Sequence, residues 1–74
     1  MNGFNDNGER HGYWELRTIN LNYLNGLRDG YYESFWDDKK LSKFTRGYYH
    51  MDKSIGYWEW FSRKNELMIK QFHL

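Results

Sequence analysis

Gly12-Tyr13-Trp14-Glu15, Gly30-Tyr31-Tyr32-Glu33 and Gly56-Tyr57-Trp58-Glu59 are three copies of one pattern, Gly-Tyr-aromatic-Glu, in a chain of 74 residues. Self-similarity of this kind marks a repeat architecture in which each copy is one supersecondary unit. The glycines lie 18 and 26 residues apart, so the copies differ in length. Asn7-Gly8-Glu9-Arg10-His11 leads into the first copy and Asn25-Gly26-Leu27-Arg28-Asp29 into the second, both reading Asn-Gly-x-Arg-x-Gly. Met51-Asp52-Lys53-Ser54-Ile55 stands before the third, where the Asn-Gly pair is gone. Downstream, Leu41 and Leu67 each follow their glycine by 11 residues, behind the polar clusters Asp37-Asp38-Lys39-Lys40 and Arg63-Lys64-Asn65-Glu66. The first copy is short of eight residues at this point.

The pattern describes hairpins. Asn-Gly supplies the two positive-φ positions of a type I′ turn. The repeat glycine permits close backbone approach where a strand begins. Residues 56–62 have the composition of a strand, the polar cluster is a turn, and residues 67–74 form the returning strand. The chain is read as one all-β domain over 1–74, with repeats at approximately 5–22, 23–48 and 49–74. Two segments also admit a helical reading. Residues 31–45 hold no Gly or Pro and place acidic before basic residues. Residues 62–74 start at a serine and put Leu67, Met68 and Phe72 on one helical face.

These residues resemble the MORN-type repeats, above all the bacterial and phage variant that reads roughly Asn-Gly-Lys-x-x-Gly-x-Trp, then an aromatic strand, a turn and a Leu-led return strand. The resemblance runs from about Asn5 to Phe72. It implies a single-layer antiparallel sheet of about three stacked β-hairpins. It also implies interaction roles, since some bacterial members are described as antitoxins paired with a toxin and eukaryotic members are linked to membranes and scaffolds. The chain departs from the pattern in its truncated first copy and in the third copy's missing Asn-Gly.

Composition limits the function classes. A chain this short buries only about 60% of the surface its unfolded form exposes, and with no cysteine it has neither disulfides nor thiolate chemistry. Sixteen aromatics (4 Trp, 7 Tyr, 5 Phe) stand in for the missing aliphatics, and Ala and Val are absent. Such side chains pack across strands. Eleven Lys/Arg against ten Asp/Glu are interspersed, with no run of one sign longer than two. That is no footprint for nucleic acid, nor a polybasic patch for a membrane surface. The N-terminal residues lack the basic and apolar regions of a secretory signal. The protein is therefore read as cytosolic, or as made in a host cytosol by a virus. His11, His50 and His73 have no metal-ligand spacing, and Gly26-x-x-x-Gly30 lacks the Lys-Ser/Thr of a phosphate loop. No cofactor, metal or catalytic residue is expected, and the protein is read as no enzyme.

Side chains alternate along a strand. Counted from each repeat glycine, the even face carries Trp14, Leu16 and Thr18, then Tyr32, Ser34 and Trp36, then Trp58, Trp60 and Ser62. It is the more apolar and is taken as the core side. The odd face carries Tyr13, Glu15 and Arg17, then Tyr31, Glu33 and Phe35, then Tyr57, Glu59 and Phe61. A Tyr-x-Glu unit recurs there in every copy. One reading is structural: tyrosines stack and glutamates pair with Lys43, Arg46 or Lys70 on the intervening strands. The other is a binding surface made of Tyr13, Glu15, Tyr31, Glu33, Phe35, Tyr57, Glu59 and Phe61, since tyrosine offers stiff contact area with a polar tip. Such a surface would suit a protein partner with a basic, loop-rich surface. The expected function is a non-enzymatic protein-binding module acting by stoichiometric binding, as an inhibitor, an antitoxin or a phage counter-defence protein. The alternative is a small structural, assembly or virion-associated scaffold component that self-associates through sheet edges.

Overall fold

The computed structural model describes residues 2–74; Met1, part of the domain read over 1–74, lies outside the described residues. The chain is all-β. It runs through β1 (Gly3–Phe4), β2 (Arg10–Glu15), β3 (Ile19–Leu24), β4 (Leu27–Phe35), β5 (Lys43–His50), β6 (Lys53–Phe61) and β7 (Leu67–His73). These form one antiparallel sheet in the order β1-β2-β3-β4-β5-β6-β7. The Cα atoms fill 41 × 31 × 9 Å. A second packed layer would add about 10 Å to the short axis, so the sheet is a single layer of stacked hairpins. Both segments with a helical reading are strand and turn instead: β4 and β5 flank the 36–42 connection, and β7 fills most of 62–74. Their side chains take cross-strand partners, Tyr31 with Tyr48 and Glu33 with Arg46 in the first segment, Trp60 with Ile69 and Tyr57 with Phe72 in the second. No helix long and apolar enough to cross a membrane occurs among the described residues.

Of the two Asn-Gly pairs, Asn25-Gly26 makes the expected two-residue turn, whereas Asn7 has no positive φ and Asn7-Gly8 lies in the longer 5–9 connection, where Asn5 bonds Glu9 and Gly8 across the loop. Asn25 and Gly26, at φ 48° and 87°, close the β3–β4 hairpin between the paired residues Leu24 and Leu27. Met51 and Asp52, at φ 49° and 71°, do the same between His50 and Lys53. The third copy thus keeps the turn without the Asn-Gly that favours it. A left-handed methionine is uphill by roughly 1–2 kcal/mol, and bonds from the preceding repeat offset it. The Arg28 carbonyl accepts the Asp52 N–H at 2.8 Å, the Asp29 carboxylate accepts the Met51 N–H at 3.1 Å, and Arg28 Nε meets Asp52 Oδ1 at 2.5 Å. One repeat earlier, Gly26 N–H reaches the Arg10 carbonyl at 2.8 Å and Asn25 N–H reaches His11 Nδ1 at 3.2 Å. Each hairpin tip is clamped by the strand before it.

The repeat glycines do not begin strands. Gly12, Gly30 and Gly56 lie inside β2, β4 and β6 at φ 83°, 109° and 69°. Around Gly30 the β3–β4 register shifts between Leu21 and Tyr23, and around Gly56 the β5–β6 register shifts between Arg46 and Tyr48. These are bulges, where positive φ bends the strand and re-aims the residues that follow. On the other side each glycine pairs with an aromatic ring: Gly12 with Tyr23, Gly30 with Tyr49, Gly56 with His73.

The core lies on the even face, around the buried Trp14, Leu21 and Trp58. Trp14 meets Phe4 and Tyr23 edge-on at 5.3 and 5.8 Å, and Trp58 meets Tyr32, Tyr49 and His73 at 5.5, 5.0 and 5.7 Å. The repeated arginine joins this packing. Arg10 lies over Tyr23 and donates to its hydroxyl, and Arg28 lies over Tyr49 and donates to its hydroxyl, both at 3.1 Å. In the third copy Ser54 and His73 replace that pair, with Ser54 Oγ and His73 Nδ1 at 2.6 Å. Leu16 and Trp36, counted to the core side, are partly exposed because β2 ends at Glu15 and β4 at Phe35. The Trp36 ring turns to Phe44 at 4.5 Å and donates Nε1–H to the Phe61 carbonyl.

Candidate functional site

On the odd face, pairing across six strands aligns Glu15, Asn20, Glu33, Arg46, Glu59 and Lys70 in one transverse row. The row alternates in charge over its β4–β7 half. Glu59 Oε1 receives Arg46 Nε–H at 2.5 Å, and Glu33 Oε2 meets Lys43 Nζ at 3.1 Å. Glu33 also accepts from Asn20 Nδ2 and from the Tyr31 hydroxyl, both at 3.1 Å. Burial would raise the Glu33 carboxyl pKa, but hydrogen bonds from Asn20, Lys43 and Tyr31 outweigh it and hold the pKa below the ordinary 4.5. Glu15 lies 3.9 Å from Lys40, whose ammonium also bonds Asn20 Oδ1. That last contact explains why Asn20 is buried on an otherwise open face.

A second row, two residues along the strands, is aromatic. Tyr31 pairs with Tyr48 and Tyr57 with Phe72, with ring centroids 5.4 and 5.0 Å apart. The two rows enclose an open depression of about 390 Å³ lined by Tyr31, Arg46, Tyr48, Tyr57, Glu59 and Lys70. Tyr48, Tyr57 and Phe72 are 54%, 60% and 55% exposed, although they touch aromatic neighbours. Burial first, and the nearby Glu33 charge with it, push the Tyr31 phenol pKa up, against hydrogen bonding from Lys43, so it stays a neutral donor.

Of the residues singled out in the sequence, Tyr31, Tyr57 and Glu59 line the depression and Glu33 adjoins it through Tyr31. Phe61 lies under Arg46, 5.4 Å from ring centroid to guanidinium carbon. Tyr13 and Glu15 stand apart on β2. The partner of Tyr13 on β3 is Asn22, so the tyrosine ladder breaks there. Asn22 fits because its side chain lies against Gly30 and donates to the Tyr31 carbonyl at 3.1 Å. Phe35 sits at the β4 end, beside Lys40 and the 36–42 turn. Tyr48 and Phe72 complete the aromatic row but lie on return strands, which the Gly-Tyr-aromatic-Glu alignment does not cover. The alternation Phe44-Thr45-Arg46-Gly47-Tyr48-Tyr49 was the available signal for Tyr48. Among the described residues no group of three or more His, Cys, Asp or Glu is placed to hold a metal ion. Comparison of the chain with family models, with curated proteins and with solved structures finds no match.

Proposed function

We propose that this chain is a non-enzymatic repeat module that binds a protein partner stoichiometrically through the odd face, as an inhibitor, antitoxin or phage counter-defence protein in the cytosol or a host cytosol. One observation supports the reading above the others: the aromatic row Tyr48-Tyr57-Phe72 stays more than half exposed beside a row whose carboxylates Glu33 and Glu59 are already ion-paired. Tyrosine-rich, pre-ordered surfaces supply contact area at low entropic cost. A standard interface takes about 800 Å² per partner, and the 41 × 31 Å face holds that area. The carboxylates suit binding better than proton transfer. Glu59 is tied to Arg46 by an ion pair, and Glu33 is held ionised, so Glu33 is no general acid at neutral pH. The resemblance to MORN-type repeats points the same way.

The test is capture from the native cytosol, or from the native host, on tagged protein. One partner should be retained in stoichiometric amount, and Tyr48→Ala with Tyr57→Ala should release it while circular dichroism stays unchanged. Retention by that variant would move the site to the Trp-rich even face, the loops or the edges. Recovery of nothing but copies of the chain itself would favour the assembly role.

A further inference from the structure

Resting on the odd-face reading above, we propose that the depression between Tyr31, Tyr48 and Tyr57 takes an acidic segment of a partner protein: a carboxylate next to an aromatic or aliphatic side chain. The Tyr-x-Glu repeat taken by itself points to a basic partner. Tertiary pairing reverses that sign. Glu33 is saturated by Asn20, Lys43 and Tyr31, Glu59 is engaged by Arg46, and Glu15 lies near Lys40. The depression itself is lined by two cations and one carboxylate.

Those cations differ in how far they are engaged. Arg46 meets Glu59 through Nε and keeps 45% of its side chain exposed. Lys70 has no carboxylate within ion-pair distance among the described residues; its ammonium lies 4.8 Å from the Tyr57 ring centroid. A basic partner would meet Lys70 and Arg46 first, and would reach Glu59 only by displacing Arg46. An incoming carboxylate meets Lys70 with no bond to break. Like charges set against each other penalise the wrong partner, and opposite charges steer the right one.

The spacing fits one short segment. Arg46, Glu59 and Lys70 share a row, so the two cations stand two strand spacings apart, about 9–10 Å. The exposed Tyr48, Tyr57 and Phe72 lie one two-residue step along the strands, about 7 Å away. A carboxylate on Lys70 therefore leaves its neighbouring side chain over the aromatic row. That row supplies the apolar contact, and the cations supply orientation and partner choice.

The experiment is amide chemical-shift mapping of the whole chain titrated with two probes of equal length, acetyl-Glu-Tyr-Glu-Leu-Glu-amide and acetyl-Lys-Tyr-Lys-Leu-Lys-amide. The acidic probe should shift Tyr48, Tyr57, Lys70 and Phe72, and added salt should weaken it. Lys70→Glu, at an exposed site, should weaken that probe by about fivefold, the scale of one surface charge contact. Lys39→Glu, in the 36–42 turn, should leave its affinity unchanged. If the basic probe shifts these residues and the acidic one does not, the face is a binding surface and the charge assignment is overturned. If neither shifts them, both the face and its charge assignment fall. Equal losses in Lys70→Glu and Lys39→Glu would reduce the effect to net charge and overturn the site.

Discussion

Gly47→Ala tests the even-face packing on which both faces depend. Gly47 sits in β5 without a positive φ, so an added methyl meets no backbone penalty and the whole effect is steric. Its Cβ would fall 2.2 Å from Trp58 Cδ2, 2.3 Å from Cε2 and 2.7 Å from Cε3. Carbon atoms settle at about 3.5–4.0 Å, so the indole would have to retreat by roughly 1.5 Å. It has little room. Trp58 is 4% exposed, donates Nε1–H to the Ile55 carbonyl at 3.2 Å, and is flanked by Tyr32, Tyr49 and His73. Overpacking a core costs about 1–3 kcal/mol, and losing a buried Trp costs about 3–5 kcal/mol. The expected loss lies where these ranges meet, near about 3 kcal/mol, or roughly 12–24 °C in Tm for a domain this size. Thermal and urea unfolding followed by circular dichroism and tryptophan fluorescence measures it. Gly12→Ala is the control: it has φ 83° and nothing within 4 Å, so it suffers backbone strain alone. Adding Gly47→Ala to Trp58→Ala should cost nothing more, because the clash partner is gone. A Gly47→Ala protein at least as stable as Gly12→Ala would refute the Trp58–Gly47 stacking.

Gly30→Val should destabilise by more than about 1 kcal/mol, because φ is 109° and a Cβ there lies 3.3 Å from Asn22 Cβ; unchanged thermal stability would show the bulge is incidental. Met51→Asn should raise Tm by roughly 4 °C, since Asn tolerates the left-handed region and keeps the N–H that bonds Asp29; a Tm at or below that of the parent would argue against the left-handed turn. Glu33 is depressed below 4.5, so its stabilisation is complete above the ordinary carboxylate range and is lost as pH falls through the folded value. Glu33→Gln should therefore flatten the fall in stability on acidification below that range, and an unchanged acid slope would contradict the Asn20–Lys43–Tyr31 cradle.

Much of the fold was legible because repetition overrides weak local signals. Three Gly-Tyr-aromatic-Glu copies place β2, β4 and β6, and Asn25-Gly26 places a turn. The helical reading of 31–45 was open because local composition there does not separate helix from strand. Cross-strand pairs such as Glu33 with Arg46 and Tyr31 with Tyr48 separate them, and those are tertiary. Half of the candidate site was legible for the same reason: Tyr31, Glu33, Tyr57 and Glu59 belong to the repeat. Tyr48 and Phe72 lie on return strands of unequal length, where no fixed offset from the glycine identifies them.

The sequence by itself determined the unit, its copy number and the aromatic identity of its core, because hairpin turns and strand alternation are local properties of the chain. Tertiary structure decided register, and register decided charge. The bulge at Gly56 sets which β5 residue faces Glu59, the bulge at Gly30 sets which β3 residue faces Glu33, and a shift between Ser34 and Phe35 sets where Lys43 falls on β5. That placed Arg46 on Glu59 and Lys43 on Glu33 and left Lys70 with no carboxylate within ion-pair distance among the described residues. A charge has a surface meaning only with its neighbour, and in an antiparallel sheet the neighbour lies many residues away along the chain.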